Sequence, residues 1–142
     1  MDDPIRLGPI TVTFTVEADD SNGTATVSRI DVAAGAGVPL AHFHDAFEET
    51  IYGLEGTTTF TVDGERIEIG PGDTYCIKRG ATHSFVVEGD ADAAFLAIAT
   101  PGIFGRAYFE DIAAAMAASA GVPDFAAIGA VMQRHGLTPV SG

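Results

Sequence analysis

The chain has 142 residues, and 46% of them are hydrophobic, which is enough to form the core of one domain without disulfide support. Seven Lys and Arg residues against 20 Asp and Glu residues give a net charge of −13, which argues against a nucleic-acid-binding protein and against binding to an anionic membrane surface. The sequence shows neither a signal-peptide pattern nor a membrane-spanning apolar run, and its one cysteine excludes an internal disulfide, so we expect a cytoplasmic protein.

Alternating apolar residues predict β-strands through most of the chain. Residues 10–16 alternate between large apolar residues and threonines, which is typical of a half-buried strand. In the second strand, about 24–32, the apolar positions change parity between Val27 and Ile30, which predicts a bulge near Ser28–Arg29. Further short strands are predicted near 40–44, 49–55, 57–62, 66–69, 74–78, 82–88 and 93–100. Nine or ten short strands at regular spacing indicate an antiparallel sandwich or barrel.

The pattern changes to a helical period after residue 100. Apolar residues recur at i, i+3 and i+7 in two runs that begin at Phe109 and Phe125. These runs predict two short helices within about 106–136, too short to form a domain by themselves. We therefore expect one domain over 1–142, with a barrel at about 10–100 and the helices against its side.

Three of the four histidines form a pattern that suggests a metal site. His42 and His44 are two residues apart on an extended segment, so their side chains point to the same side of the sheet. Glu49 begins the next predicted strand, and His83 lies on a later strand. Three imidazoles and one carboxylate would leave two positions of an octahedral ion for water, dioxygen or a chelating substrate. The spacing alone is also compatible with chance or with hydrogen-bonded core histidines.

Two segments resemble the sequence motifs of the cupin superfamily. Residues 37–56 resemble its first motif, and residues 72–87 resemble its second motif. The residues that carry the resemblance are Gly37, His42, His44, Glu49, Gly56, Gly72, Gly80 and His83. Lys78 and Val87 depart from the usual Pro and Asn of the second motif, but neither is a ligand position.

The resemblance implies an all-β fold, a double-stranded β-helix or cupin jelly-roll barrel, with two short C-terminal helices. It also implies that His42, His44, Glu49 and His83 hold one divalent transition metal ion, which could be Mn, Fe, Co, Ni, Cu or Zn. Glu48 should point away, because neighbouring residues of a strand face opposite sides. The segment after Pro101-Gly102 further resembles small single-domain cupins grouped with quercetin-type dioxygenases.

The functional expectation is a metal-dependent, quercetinase-like dioxygenase or related oxidoreductase. Its substrate would be a small aromatic, flavonol-like or diketone molecule chelated to the metal, with Glu49 as the catalytic base. Ile51 and Phe85 share the inward faces of Glu49 and His83 and are expected to line the substrate pocket, whereas Tyr108 is expected at the surface. The alternatives are an isomerase or polyketide-tailoring enzyme that acts through an enolate, and a non-catalytic small-molecule-binding cupin.

The N-terminal segment suggests how the chain assembles. The strand Ile10–Val16 follows residues 1–9, which read as a loose arm, so this strand is expected to present a free sheet edge. Such an edge invites pairing with a second copy, and we therefore expect a homodimer with two-fold symmetry.

Overall fold

The alternating segments form strands in the computed structural model, which describes residues 3–119 and 124–140. In chain order the elements are β1 (Ile5–Leu7), β2 (Ile10–Val16), β3 (Thr26–Val32), β4 (Gly37–His44), β5 (Glu48–Glu55), β6 (Thr58–Val62), β7 (Glu65–Ile69), β8 (Thr74–Ile77), β9 (His83–Val86), β10 (Ala93–Thr100), α1 (Arg106–Ala118), α2 (Phe125–Arg134) and β11 (Leu137–Pro139), with one turn of 3₁₀ helix at Ala18–Asp20.

Two antiparallel sheets make up the barrel. One has six strands in the order β1-β2-β3-β10-β5-β8, and the other has five in the order β11-β4-β9-β6-β7. The apolar residues of the alternating pattern, such as Val12, Ile51, Phe60 and Phe95, are buried between the sheets. From β3 onward the chain crosses between the two sheets at every connection except the β6–β7 hairpin, as in a jelly roll. The predicted all-β double-stranded β-helix with two C-terminal helices is therefore confirmed.

The two helices add to the same apolar core. Ile112 from α1 and Met132 from α2 are buried in the cluster that contains the inward residues of the strands. Asp124 caps α2, because its side chain accepts a hydrogen bond from the main-chain N–H of Ala127 at 3.0 Å. Within residues 3–119 and 124–140, no helix has the length and apolar character needed to cross a membrane.

The bulge predicted near Ser28–Arg29 is not on β3. The burial of β3 alternates without interruption, and Thr26 and Ser28 continue its inward face. The register shift lies instead on β2, between Phe14 and Val16. Polar residues at inward positions produced the error, since the hydroxyl of Thr26 donates a buried hydrogen bond of 2.7 Å to the main-chain carbonyl of Phe104.

The N-terminal arm is partly structured, which changes the expected sheet edge. Residues Ile5–Leu7 form β1 and pair with the first half of β2, so that Ile5 lies opposite Val12 and Leu7 opposite Ile10. The prediction that all of Ile10–Val16 is a free edge is therefore wrong. The homodimer remains a prediction, but a free edge along the whole of Ile10–Val16 no longer supports it.

A last strand follows the helices, and the sequence pattern did not predict it. β11 pairs with β4, so that Leu137 lies opposite His44 and Pro139 opposite His42. The hydroxyl of Thr138 donates a 3.0 Å hydrogen bond to Asp45, which directly follows β4. The chain thus returns from the helices to cover the outer edge of the strand that carries two of the predicted ligands.

Candidate metal centre

Strands β4 and β9 bring the three histidines of the predicted site together. His42 and His44 both point inward from β4, and His83 on β9 lies directly opposite His42 in the antiparallel ladder. All three side chains are buried, and their available ring nitrogens lie within 4.8 Å of one another. The predicted three-imidazole group is therefore assembled, in a geometry that can hold a metal ion.

A glycine allows β4 and β9 to approach each other closely at the start of this ladder. Gly37 lies opposite Val86, and a Cβ atom at Gly37 would overlap the main-chain carbonyl oxygen of Phe85. The absence of a side chain at this position therefore permits the spacing that places His42 beside His83.

Main-chain hydrogen bonds orient two of the three rings. Nδ1 of His42 lies 3.1 Å from the carbonyl oxygen of Leu40, and Nδ1 of His83 lies 2.9 Å from that of Ala81. Each Nδ1 therefore carries a hydrogen and donates a hydrogen bond to a carbonyl oxygen. In the neutral form of each imidazole, the lone pair is then on Nε2. Nε2 of His83 is buried without a hydrogen-bond partner, as expected of an atom that awaits a metal ion.

Aromatic stacking orients the third ring. The ring of Phe47 lies against that of His44, with centroids 4.3 Å apart and planes inclined by 17°. Phe104 stacks on Phe47 at 4.9 Å and contacts His44 at 5.7 Å. Nδ1 of His44 is buried without a hydrogen-bond partner, so this imidazole is oriented mainly by packing against the two phenyl rings.

The carboxylate of the predicted site comes from the opposite sheet. Oε1 of Glu49, on β5, lies 3.6 Å from Nε2 of His83 and 3.9 Å from Nε2 of His44. Glu48 turns the other way and forms an ion pair with Arg79, where Nη2 donates a 2.8 Å hydrogen bond to Oε1. The structure thus places Glu49 beside the histidines and Glu48 outside the barrel.

Burial and mutual charge set the protonation of the cluster. Burial lowers the pKa of His42 to about 4 and that of His44 to about 3, so both imidazoles are neutral at pH 7. Burial also acts to lower the pKa of His83, but pairing with Glu49 outweighs it and raises this pKa. Burial would raise the pKa of Glu49, yet the neighbouring imidazoles lower it to about 2. The carboxylate of Glu49 is therefore negative, and both His42 and His44 are neutral. A proton on His83 must leave before Nε2 of this residue can bind a cation.

A small apolar chamber of about 90 Å³ opens beside the imidazoles. Ile51 and Phe85, both expected to line the substrate pocket, are among its walls. The other walls are aliphatic and aromatic side chains, and the aromatic ones include Phe60, Phe95, Phe104 and Tyr108. Among the described residues that line the chamber, none is Lys or Arg.

Tyr108 is a wall residue that the sequence analysis placed at the surface. It is buried on the first turn of α1, where burial and the charge of Glu49 raise the pKa of its phenol. The helical period contained the missed signal, because Tyr108 precedes Ile112 by four residues and Met116 by eight. Residues at this spacing share one helix face, and that face packs on the barrel.

The sequence of the barrel matches a known protein family. A family model described as a cupin domain matches residues 28–99. This range runs from β3 to β10 and contains all four predicted ligands.

A curated enzyme matches part of the chain. Quercetin 2,3-dioxygenase from Bacillus subtilis (strain 168) is 32% identical over 63 residues, which are 44% of this chain and 18% of that enzyme. The match therefore spans less than one fifth of the length of this relative.

Solved structures share the fold across most of the chain. KdgF from Halomonas sp. superimposes with a TM-score of 0.62 at 17% identity, over 70% of this chain and 86% of that one. A predicted oxalate decarboxylase from Thermotoga maritima superimposes with a TM-score of 0.61 at 25% identity, over 65% of this chain and 80% of that one. These similarities describe the scaffold, and the reaction depends on the side chains within it.

Proposed function

We infer that this chain, which belongs to the cupin domain family, is a metal-dependent dioxygenase or related oxidoreductase that acts on a small 1,3-dicarbonyl compound. The observation that carries the proposal is the position of three buried imidazoles and one carboxylate at the side of a small apolar chamber, whose described lining residues include no Lys or Arg. The match to quercetin 2,3-dioxygenase supports the choice of reaction class.

The residues fit a divalent transition metal ion. His42, His44, His83 and Glu49 would hold it, since two Nδ1–H groups are already bonded to carbonyls and Nε2 of His83 lies 3.6 Å from the Glu49 carboxylate. Bound there, the ion would polarise the two oxygens of a chelating substrate and favour its enolate, the form that reacts with dioxygen.

Glu49 is proposed as both a ligand and the base. Its carboxylate is ionised at neutral pH and stands beside the imidazoles, within the apolar chamber. As a base it would first swing free of the ion, and it could then accept the acidic proton between the two carbonyl groups of the substrate. The aromatic walls exclude water, which keeps that proton and the resulting anion within the site.

The size and chemistry of the chamber select among possible substrates. An apolar protein cavity of about 150 Å³ is known to bind a single benzene ring. The chamber measures about 90 Å³, which favours a diketone head group over a flavonol-like ring system. None of the described lining residues is Lys or Arg, so the chamber offers no such side chain to pair with an anionic group that extends beyond the ion.

Oxygen consumption tests the proposal. The protein is loaded in turn with Fe²⁺, Mn²⁺, Co²⁺, Ni²⁺, Cu²⁺ and Zn²⁺ and mixed with a panel of 1,3-diketones and flavonols in an oxygen electrode. We expect a diketone to be cleaved with one dioxygen consumed per molecule, and both oxygen atoms to appear in a carboxylic acid and an oxoaldehyde. His83→Ala should abolish consumption, whereas His135→Ala, at the end of α2, should not.

Two outcomes would contradict the dioxygenase. Turnover or isotope exchange of the substrate without oxygen uptake would identify an isomerase or polyketide-tailoring enzyme that acts through the enolate. Tight binding of a diketone with neither exchange nor oxygen uptake would identify a non-catalytic small-molecule-binding barrel.

A further inference from the structure

A second and larger cavity lies between the helices and the barrel. It has a volume of about 270 Å³, and α1, α2, β1, β2 and β4 contribute its walls. We call it the helix cleft, and the residues that define it are Leu40, Ile112, Met116, Ile128 and Met132.

The helix cleft and the metal chamber share a wall. Leu7, Ile10, Val38, Tyr108 and Phe109 line both spaces. Tyr108 and Phe109 stand next to each other on the first turn of α1, with ring centroids 5.0 Å apart and planes inclined by 78°. Because a residue that lines two spaces lies at their boundary, these two rings mark the place where the metal chamber adjoins the cleft.

The chemistry of the cleft restricts what it can hold. None of its described lining residues is charged, and the hydroxyl groups of Tyr108 and Ser119 are the polar side-chain groups among them. A charged or hydroxylated ligand would lose its hydration there without finding partners. An apolar chain would exchange water for methyl and aromatic contacts, which is favourable.

The relative sizes of the two spaces indicate how a substrate would divide between them. A 150 Å³ cavity holds the six carbons of benzene, so 270 Å³ corresponds to about ten carbons. The chamber beside the imidazoles, at about 90 Å³, has room for a chelating head group and little more.

We propose that the substrate carries an unbranched apolar chain of about eight to ten carbons, which passes Tyr108 and Phe109 into the helix cleft while its chelating head lies beside His42, His44 and His83. The inference rests on the proposed function, because the bound ion is what fixes the head. It narrows the substrate class from small diketones to long-chain alkyl 1,3-dicarbonyl compounds.

Binding of a homologous series tests the inference without measuring catalysis. The probes are straight-chain hydroxamic acids from acetohydroxamate to dodecanohydroxamate, which chelate through two oxygens as a dicarbonyl would. Their affinity for the Co²⁺-loaded protein is measured by calorimetry and by the visible spectrum of the cobalt. We expect affinity to rise about fourfold for each added methylene group and to level off near ten carbons, when the cleft is full.

Variants on α2 identify where the chain lies. Ile128→Trp should fill the cleft and remove the dependence on chain length, while acetohydroxamate binds as in the parent protein. Ala130→Trp is the matched control, because residue 130 is on the exposed face of the same helix and does not line the cleft. If Ile128→Trp disturbs folding, Met116→Ala provides the opposite change, since a larger cleft should move the plateau to longer chains.

The possible results separate this inference from the proposed function. A protein that takes up no cobalt, or that does not bind acetohydroxamate, contradicts the proposed function and with it the inference. Cobalt and acetohydroxamate binding without any chain-length dependence overturns the inference alone. If the affinity of the Ile128→Trp variant still depends on chain length, the alkyl chain lies outside the helix cleft. If the parent protein is a dimer and Ile128→Trp dissociates it, the cleft holds a second copy of the protein. Either of these two results also overturns the inference.

Discussion

His42 and His83 lie opposite each other on β4 and β9, and each bonds its Nδ1 to the carbonyl group two residues before it, at Leu40 and Ala81. Each ring is thus oriented by its own strand, and both Nε2 lone pairs are left for the space between the sheets. Ring centroids 4.6 Å apart show how close the two imidazoles come. The orientation of these two ligands is therefore set before any ion arrives.

One divalent ion should bind per chain, and its affinity should depend on each imidazole. His83→Ala should weaken binding by more than about 100-fold, since changes to the groups that merely support metal ligands already cost 10–100-fold. The matched control is His135→Ala, because the ring of His135 pairs with Asp111 on α1 at 2.8 Å and is not one of the predicted ligands. Elemental analysis and competition with a chromophoric chelator measure this, and equal metal content in His83→Ala and the parent would contradict the assignment.

The pH dependence of metal affinity should be shallow. Three ordinary histidines would release up to three protons on binding, but burial lowers the pKa of His42 to about 4 and that of His44 to about 3. Pairing with Glu49 raises the pKa of His83, so among the three imidazoles His83 is the one whose proton the ion must displace as the pH falls. The logarithm of the affinity should therefore fall with decreasing pH at a slope of about one. Calorimetry in buffers of different ionisation enthalpy counts the protons, and a slope near three would contradict this pattern.

Gly37→Ala should weaken both the fold and the metal site. The new Cβ would meet the carbonyl oxygen of Phe85 and lie 2.8 Å from the Cα atom of Val86, so β4 and β9 must separate. We expect a loss of about 1–3 kcal/mol in the free energy of unfolding, the usual cost of overpacking, and a lower metal affinity because His42 moves from His83. Gly89→Ala, with no atom within 4 Å of the added Cβ, should change stability by less than about 0.5 kcal/mol. Urea unfolding and metal titration of the two variants provide the comparison.

The chain is expected to sediment as a homodimer, at twice its mass of 14.6 kDa. A net charge of −13 on each copy opposes association, so the dimer should be more stable when salt screens the repulsion. A stable pair needs roughly 800 Å² of contact on each partner. Sedimentation velocity at micromolar protein, across a range of salt concentrations, measures the mass. A single species near 14.6 kDa at every salt concentration would rule out the dimer.

The strands could be predicted because burial in a two-sheet barrel leaves an alternating pattern in the sequence. Residues 10–16 and 93–100 form strands with the predicted bounds, and the motif positions placed the histidines of β4 and β9 on facing strands. The same reasoning failed at Thr26 and Ser28, where hydroxyl groups occupy inward positions. A hydrogen bond to a distant carbonyl, such as that of Thr26, leaves no trace in a hydrophobic pattern.

The parts of the site that could not be predicted are formed by contacts between distant residues. Leu137–Pro139 is too short to show a period, and only its pairing with β4 makes it a strand. Phe104 and Tyr108 join the metal chamber because α1 packs back onto the barrel, which depends on tertiary packing. Glu49 was distinguished from Glu48 correctly, because strand alternation is a local rule.

The pairing of β11 with β4 has a consequence for the order in which the protein is made. His83, the last of the three imidazoles in the chain, leaves the ribosome before Leu137, the first residue of the strand that borders His42 and His44 on the other side. During this interval β4 can pair with β9 while its outer edge remains open. An ion taken up by the nascent chain would therefore bind while β4 is paired on one side only. The later pairing of β11 would then fix the position of β4, which carries two of the ligands.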